Sequence, residues 1–98
     1  MAERRVRVAG PDGLHARPAA RFVRAAQESG LPVRVARADG AGAGPVSAAS
    51  ILKVLGLGVR GGEEIVLSCE GEGAEAVLRR LADLVSQPPP RGPGHAML

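Results

Sequence analysis

Apolar residues recur along the chain with two different periods, which predict strands and helices in turn. Apolar and polar residues alternate in two segments, as is typical of half-buried strands, at residues 4–8 and 33–37, and a further strand is predicted at residues 64–69. A shorter strand is predicted at residues 46–48. In the strand 64–69, Ile65, Leu67 and Cys69 point one way and their neighbours the other way.

Two longer segments have the period of an amphipathic helix. After residue 15, apolar residues follow the i, i+3, i+4, i+7 spacing, and the predicted core positions are Ala19, Phe22, Val23 and Ala26. Gly30, with Pro32 just beyond it, is a good stop for this helix. The second segment spans residues 74–85, with its apolar positions at Ala74, Val77, Leu78, Leu81, Leu84 and Val85. A short apolar helix is predicted at residues 50–55.

The predicted order is therefore β-α-β-β-α-β-α, an α+β fold. Short connections favour antiparallel pairing, with four strands in one sheet, three helices on one face and the other face open to water. The Gly-rich stretch 39–45 cannot bury much. Residues 1–87 are predicted to form one domain, and the Pro/Gly-rich residues 88–98 are predicted to be a disordered tail.

Composition supports a small globular domain: 98 residues, 45% hydrophobic and 23% charged. Phe22 is the only aromatic residue, so the core must consist of aliphatic side chains. The single Cys69 excludes an internal disulfide and is most simply a small buried residue. Because no apolar run reaches membrane-spanning length and the N-terminus does not resemble a signal peptide, we expect a cytoplasmic protein without membrane insertion.

A net charge of +3 and a pI near 10.4 would suit nucleic-acid binding. However, the ten acidic residues are interspersed with the basic ones, and aromatic residues that could stack on bases are nearly absent. We therefore expect no nucleic-acid partner. Arg17, Arg21 and Arg24 could instead form a basic helix face that suits acidic protein partners.

Residues 56–61 spell G-x-G-x-x-G, the glycine pattern of dinucleotide-binding proteins. That fingerprint requires a strand before it and a helix after it. Here a helix is predicted before it and a strand after it, so we reject a cofactor site. No cluster of acidic, His and Cys residues suggests a metal, and we expect neither a metal nor a cofactor.

His15 stands just before the first amphipathic helix and is the main candidate for chemistry. If the helix begins at Ala16, His15 is its N-cap, and Pro18 lies in the first turn, where it costs no helical hydrogen bond. The backbone N–H groups of Ala16 and Arg17 are then free at the positive end of the helix dipole. A neutral imidazole can attack phosphorus near neutral pH, so this junction could accept and hold a phosphoryl group. Alternatively, His15 is only an exposed cap and Arg17 only a solvated charge.

Two motifs decide between these alternatives. The segment Gly13-Leu14-His15-Ala16-Arg17-Pro18-Ala19-Ala20 resembles the active-site segment of HPr, the histidine-containing phosphocarrier of the bacterial sugar phosphotransferase system. A second HPr-like signature follows in the same order as in that family, Ser50-Ile51-Leu52-Lys53-Val54-Leu55-Gly56-Leu57-Gly58. The likeness runs from about Arg4 to Val85 and implies the same open-faced sandwich. The stretch 39–45 appears about four residues longer than in the family.

The resemblance implies a carrier rather than an enzyme. His15 would accept a phosphoryl group from phosphorylated enzyme I and pass it to sugar-specific enzyme IIA domains, with Arg17 assisting. The alternative is an HPr-like regulatory protein that acts through its phosphorylation state, outside sugar transport. In either case we expect a monomer.

The family also suggests two further roles around the short helix. Ser50 matches a serine that a regulatory kinase phosphorylates in part of the family, although Ala49 replaces the lysine that often precedes it; Ser50 could equally be a simple N-cap. The predicted partner-docking residues are Ala20, Arg24, Ile51, Leu52, Lys53 and Leu55. Among these, Leu52 is expected to be exposed, whereas Ile51 and Leu55 could also be core. Gln27 stands where some relatives carry a basic residue.

Overall fold

A computed structural model describes residues 1–9, 16–42 and 44–86. In chain order its elements are β1 (Ala2–Arg7), α1 (Ala16–Ser29), β2 (Arg34–Arg37), β3 (Val46–Ser47), α2 (Ile51–Gly56), β4 (Glu64–Cys69) and α3 (Ala74–Ser86). This order confirms the predicted βαββαβα succession. His15 and the predicted tail 88–98 lie outside the described residues.

The four strands form one antiparallel sheet in the order β1-β4-β2-β3. The last strand of the chain, β4, lies inside the sheet, where Leu67 is opposite Arg4 of β1 and Val35 of β2. All three helices cover one face, as predicted. Helix α3 packs on β1 and β4, and α1 packs between α3 and α2.

The core lies between the sheet and the helices. Ile65, Leu67 and Cys69 are buried, while the alternate residues of β4 are half-buried, so the predicted alternation is confirmed. All four predicted core positions of α1 are also buried: Ala19, Phe22, Val23 and Ala26. Full burial of Phe22 makes this one aromatic ring the largest buried side chain of the described residues.

Helix α3 differs from the prediction at three positions. Its buried residues are Ala74, Leu78, Leu81, Ala82 and Val85. Val77 is only half-buried and Leu84 is 38% exposed, because both lie on one flank of the buried stripe. Ala82, which the apolar pattern did not single out, occupies the opposite flank and faces the core.

The first strand is shifted relative to the prediction. It runs from Ala2 to Arg7, because β1 pairs with β4 over its whole length, from Ala2 opposite Cys69 to Arg7 opposite Glu64. Val8 is buried but lies beyond the strand, where its N–H donates to the Glu63 carbonyl oxygen at 2.9 Å. The predicted third strand, residues 46–48, is shortened to Val46–Ser47, and the predicted stop at Gly30 is confirmed by its left-handed φ of 71°.

Candidate functional site

The site is organised by the start of α1. The helix begins at Ala16. His15 comes directly before it in the sequence and lies outside the described residues. Pro18 is the third residue of the helix and is exposed. No acidic residue lies in this first turn. The backbone N–H groups of a first turn have no partner within the helix, and anion binding by those of Ala16 and Arg17 stays a prediction.

The exposed side of α1 carries Ala20, Arg21 and Arg24. The Arg24 guanidinium is 3.3 Å from the Glu28 carboxylate, an i, i+4 ion pair with both side chains largely in water. Such pairs contribute little to stability. The Glu28 carboxylate, one turn away, therefore partly offsets the positive charge of Arg24.

Helix α2 begins with a serine cap. Ser50 has extended backbone angles, and its hydroxyl oxygen accepts a hydrogen bond from the Lys53 N–H at 3.4 Å. This confirms the reading of Ser50 as an N-cap. Phosphorylation of Ser50 stays a prediction, and the half-buried residue stands at the rim of the exposed surface described next.

The exposed surface of α2 is apolar. Leu52 is 80% exposed, Ile51 38% and Leu55 37%, and we call these three side chains the docking patch. The predicted exposure of Leu52 is confirmed. The alternative that Ile51 and Leu55 belong to the core is wrong, because the inner side of this short helix is occupied by the fully buried Val54. Lys53 is exposed beside the patch.

Gln27 fixes α1 to the start of α2, a role that the sequence did not reveal. Its side-chain N–H donates to the Ala49 carbonyl oxygen at 2.9 Å. Ala49 comes directly before the Ser50 cap, so the bond ties the last turns of α1 to the beginning of α2. The resemblance indicated only that Gln27 stands where some relatives carry a basic residue. Its contact with Ala49 joins residues 22 positions apart, so no local sequence pattern could reveal it.

A polar cluster lies at the other end of α2. Arg37, at the end of β2, donates from Nη1 to the carbonyl oxygens of Leu57 and Gly58, both at 3.1 Å. Its Nε and Nη2 atoms bond to the two oxygens of Asp39 at 3.2 and 2.9 Å, and Nη2 is 2.6 Å from Glu63 Oε2. We call Arg37, Asp39 and Glu63 the Arg37 cluster.

The Arg37 cluster shifts the pKa of each of its members. The hydrogen bond from Arg37 lowers the pKa of the Asp39 carboxyl group, with help from the Ala41 N–H. Arg37 likewise lowers the pKa of Glu63, whose other oxygen accepts from the Arg60 N–H. Hydrogen bonds to Asp39 and Glu63 raise the pKa of Arg37. All three groups are therefore charged near neutral pH.

Other chemistry finds little support in the described parts of the chain. Burial raises the pKa of the Cys69 thiol, which disfavours the reactive thiolate. Residues 1–9, 16–42 and 44–86 contain no group of three or more His, Cys, Asp or Glu side chains placed to hold a metal ion. None of the described helices has the length and apolar character needed to cross a membrane. The G-x-G-x-x-G stretch begins at the last residue of α2 and precedes β4, so the predicted order of a helix before it and a strand after it is confirmed.

Comparison with known proteins gives a consistent picture. Residues 2–87 match the family model described as "PTS HPr component phosphorylation site". The phosphocarrier protein HPr of Streptomyces coelicolor is 63% identical over 87 residues, which cover 89% of this chain and 90% of that protein. HPr of Haloferax volcanii is 48% identical over 86 residues, 88% of this chain and 94% of that protein.

The fold itself matches a solved structure. The crystal structure of HPr from Bacillus anthracis superposes with a TM-score of 0.78 at 36% sequence identity, covering 86% of this chain and 95% of that one. The structural similarity therefore covers most of the chain.

Proposed function

Because the chain belongs to the HPr family, the phosphocarrier proteins of the phosphotransferase system, we propose that its phosphoryl acceptor is the imidazole of His15. Proteins of this family carry a phosphoryl group between partners and are not enzymes themselves. The proposal concerns which residues of this chain accept the group, hold it and meet the partners.

The observation that carries the assignment is the start of α1 at the residue after His15. A phosphoryl group on a residue at this position would lie against the positive end of a 14-residue helix whose first turn has no competing carboxylate. The N–H groups of Ala16 and Arg17 are the proposed backbone donors. Pro18 lacks an N–H but sets the φ angle that a first turn needs.

In the proposed step a ring nitrogen of neutral His15 attacks the phosphorus atom of the phosphorylated donor. The new P–N bond forms as the bond to the donor breaks, and the donor leaves with that electron pair. The proton on the other ring nitrogen is either released to water or kept until the acceptor attacks the phosphorus atom and the imidazole leaves. Arg17 is the proposed cation that offsets the charge on the transferring group, which is the main demand of phosphoryl transfer.

The proposed donor is enzyme I, and the proposed acceptors are enzyme IIA domains. Their proposed contact surface is the docking patch, with Ala20 beside it on α1 and the charges of Arg24 and Lys53 at its rim. Support comes from the exposure of Leu52, since an apolar side chain 80% in water gains from being covered. The positive rim charges favour partners with acidic surfaces. We further propose Ser50 as a target for a regulatory serine kinase.

The test uses the only two histidines of the chain, His15 and His95. The full-length protein is incubated with enzyme I and phosphoenolpyruvate, and its intact mass is measured before and after acid treatment. We expect the wild-type protein and His95→Ala to gain one acid-labile phosphoryl group, and His15→Ala to gain none. His15→Ala should stay folded, since loss of a cap costs about 1 kcal/mol.

Phosphorylation of His15→Ala at the wild-type rate would refute the assignment. Incubation of the phosphorylated protein with an enzyme IIA domain then tests the second half of the relay. Transfer is expected, and a phosphorylated protein that no enzyme IIA domain can discharge would point instead to a regulatory role.

A further inference from the structure

Arg37 holds together three segments that are far apart in sequence. It stands at the end of β2, forms a forked pair with Asp39 in the following turn, and reaches the end of α2 and the turn before β4. Its side chain is only 14% exposed, although it carries a full charge. Five hydrogen bonds to carbonyl and carboxylate oxygens compensate for that partial burial.

The carbonyl oxygens that Arg37 contacts belong to the two residues that follow α2, the C-cap Leu57 and Gly58. The last carbonyl groups of a helix have no intrahelical donor and form the negative end of its dipole. Just past Gly56 the chain turns, with the Gly58 N–H bonded to the Leu55 oxygen and Gly58 at a φ of 63°. The Arg37 guanidinium supplies donors and positive charge to Leu57 and Gly58 at this turn.

The inner side of α2 is secured independently of Arg37. Val54 is fully buried, and Leu57 and Val59 are 7% and 1% exposed, so the helix is anchored in the core. The contacts of Arg37 lie instead just beyond the end of the helix, two and three residues after Leu55 of the docking patch.

The same guanidinium also reaches toward the chain that leads to His15. Glu63 accepts from Arg37 through its carboxylate and from the Val8 N–H through its carbonyl oxygen, the latter at 2.9 Å. The neighbouring Gly62 N–H donates to the Val8 oxygen at 2.7 Å. Arg37 thus links the end of α2 to the turn that is hydrogen-bonded to Val8, seven residues before His15.

We infer that Arg37 is a positioning residue for partner docking: it sets the docking patch at a fixed distance and angle from the phosphoryl-accepting end of α1. This inference rests on the proposed function, because it assumes that partners cover the patch while reaching His15. Arg37 touches neither the partner nor the reacting atoms.

The experiment compares Arg37→Met with Arg7→Met. Arg7 is the matched control, since it makes the same kinds of bond at the same turn, to the Gly62 oxygen at 2.6 Å and to Glu64 at 3.3 Å, without contacting α2. Phosphorylation by enzyme I is measured with the full-length carrier as the varied substrate. Arg37→Met should raise KM about 5- to 50-fold with little change in kcat, because docking geometry is lost while the acceptor chemistry is kept.

Amide hydrogen exchange supplies a second measurement. In Arg37→Met the amides of Leu57 and Gly58 should exchange faster, while that of the more central Val54 stays protected. Arg7→Met should leave both KM and these amides unchanged. Arg37→Lys should have an intermediate KM, because an ammonium group keeps the charge but cannot reproduce the fork. If Arg37→Met does not fold, the same comparison is made with Arg37→Lys.

A wild-type KM in the folded Arg37 variants would overturn the inference, and so would an equal rise of KM in Arg7→Met. A fall in kcat with unchanged KM would also overturn it, since it would place Arg37 in the chemistry. Failure of the proposed function would look different: the wild-type protein itself would then accept no phosphoryl group from enzyme I.

Discussion

Shortening Leu52 to alanine tests the docking patch directly. Full burial of a leucine side chain is worth about 1.5–3 kcal/mol. Leu52 is 80% exposed in the free protein, so almost all of this energy is still available to a partner. Removing the side chain beyond Cβ should therefore cost about 1–2.5 kcal/mol of binding free energy, which is about 5- to 70-fold in Kd.

The fold should tolerate this change. An exposed side chain away from caps and buried networks contributes within about 0.5 kcal/mol to the free energy of unfolding. The melting temperature of Leu52→Ala should therefore stay close to that of the wild-type protein. A large drop would show that Leu52 packs in the folded protein more than its exposure indicates.

Isothermal titration of enzyme I with the unphosphorylated carrier measures the effect on Kd. Leu84→Ala is the matched control, because Leu84 is also an exposed leucine, at 38%, but lies on α3 rather than α2. The control should bind like the wild-type protein. Equal Kd values for all three proteins would refute the docking patch, and equal weakening by both substitutions would show that the effect is not specific to α2.

Two further predictions concern charge. Ser50→Asp should keep the cap of α2 and hence the melting temperature, since Asp caps as well as Ser does, but it should weaken enzyme I binding in a manner that shrinks as salt rises. The measurement is a salt series of Kd values, with Ser50→Asn as the uncharged control; an equal loss in both variants would contradict the charge argument. Asp39 and Glu63 have lowered pKa values in the folded protein, so their contribution to stability is complete above the unfolded-state pKa values and is lost as pH falls through the folded ones. Between about pH 6 and pH 2.5 the melting temperature should therefore fall less steeply for Arg37→Met than for the wild-type protein. Parallel curves of melting temperature against pH would contradict this linkage.

The parts of the fold that the sequence predicted best are those where one face is buried along a whole element. In β4, Ile65, Leu67 and Cys69 occupy every second position, which leaves only one orientation of the strand. In α1 the spacing of Phe22 and Val23 likewise determines which face of the helix is buried. Long runs of one period contain enough residues to make the assignment unique.

Helix α2 was harder to interpret for the same reason. It has six residues, and apolar side chains project from nearly all sides of it, so the period cannot tell Val54 from Ile51 or Leu55. Only the tertiary structure shows that Val54 faces the core. For the candidate site, the motif around His15 carried the prediction, whereas the contacts of Gln27 and Arg37 join residues 20 to 26 positions apart and have no local pattern.

The position of β4 inside the sheet has a consequence for how the protein forms during synthesis. Strand β1 is synthesised before the other three strands and lies at the edge of the described sheet, paired with β4, and its first residue, Ala2, is opposite Cys69. Strand β2 also takes β4 as a neighbour. Until residue 69 is available, β1 has no partner and β2 has only the two-residue β3. Helix α1 can form early from local contacts, but its apolar face has no sheet to cover, so assembly of the core must await most of the chain.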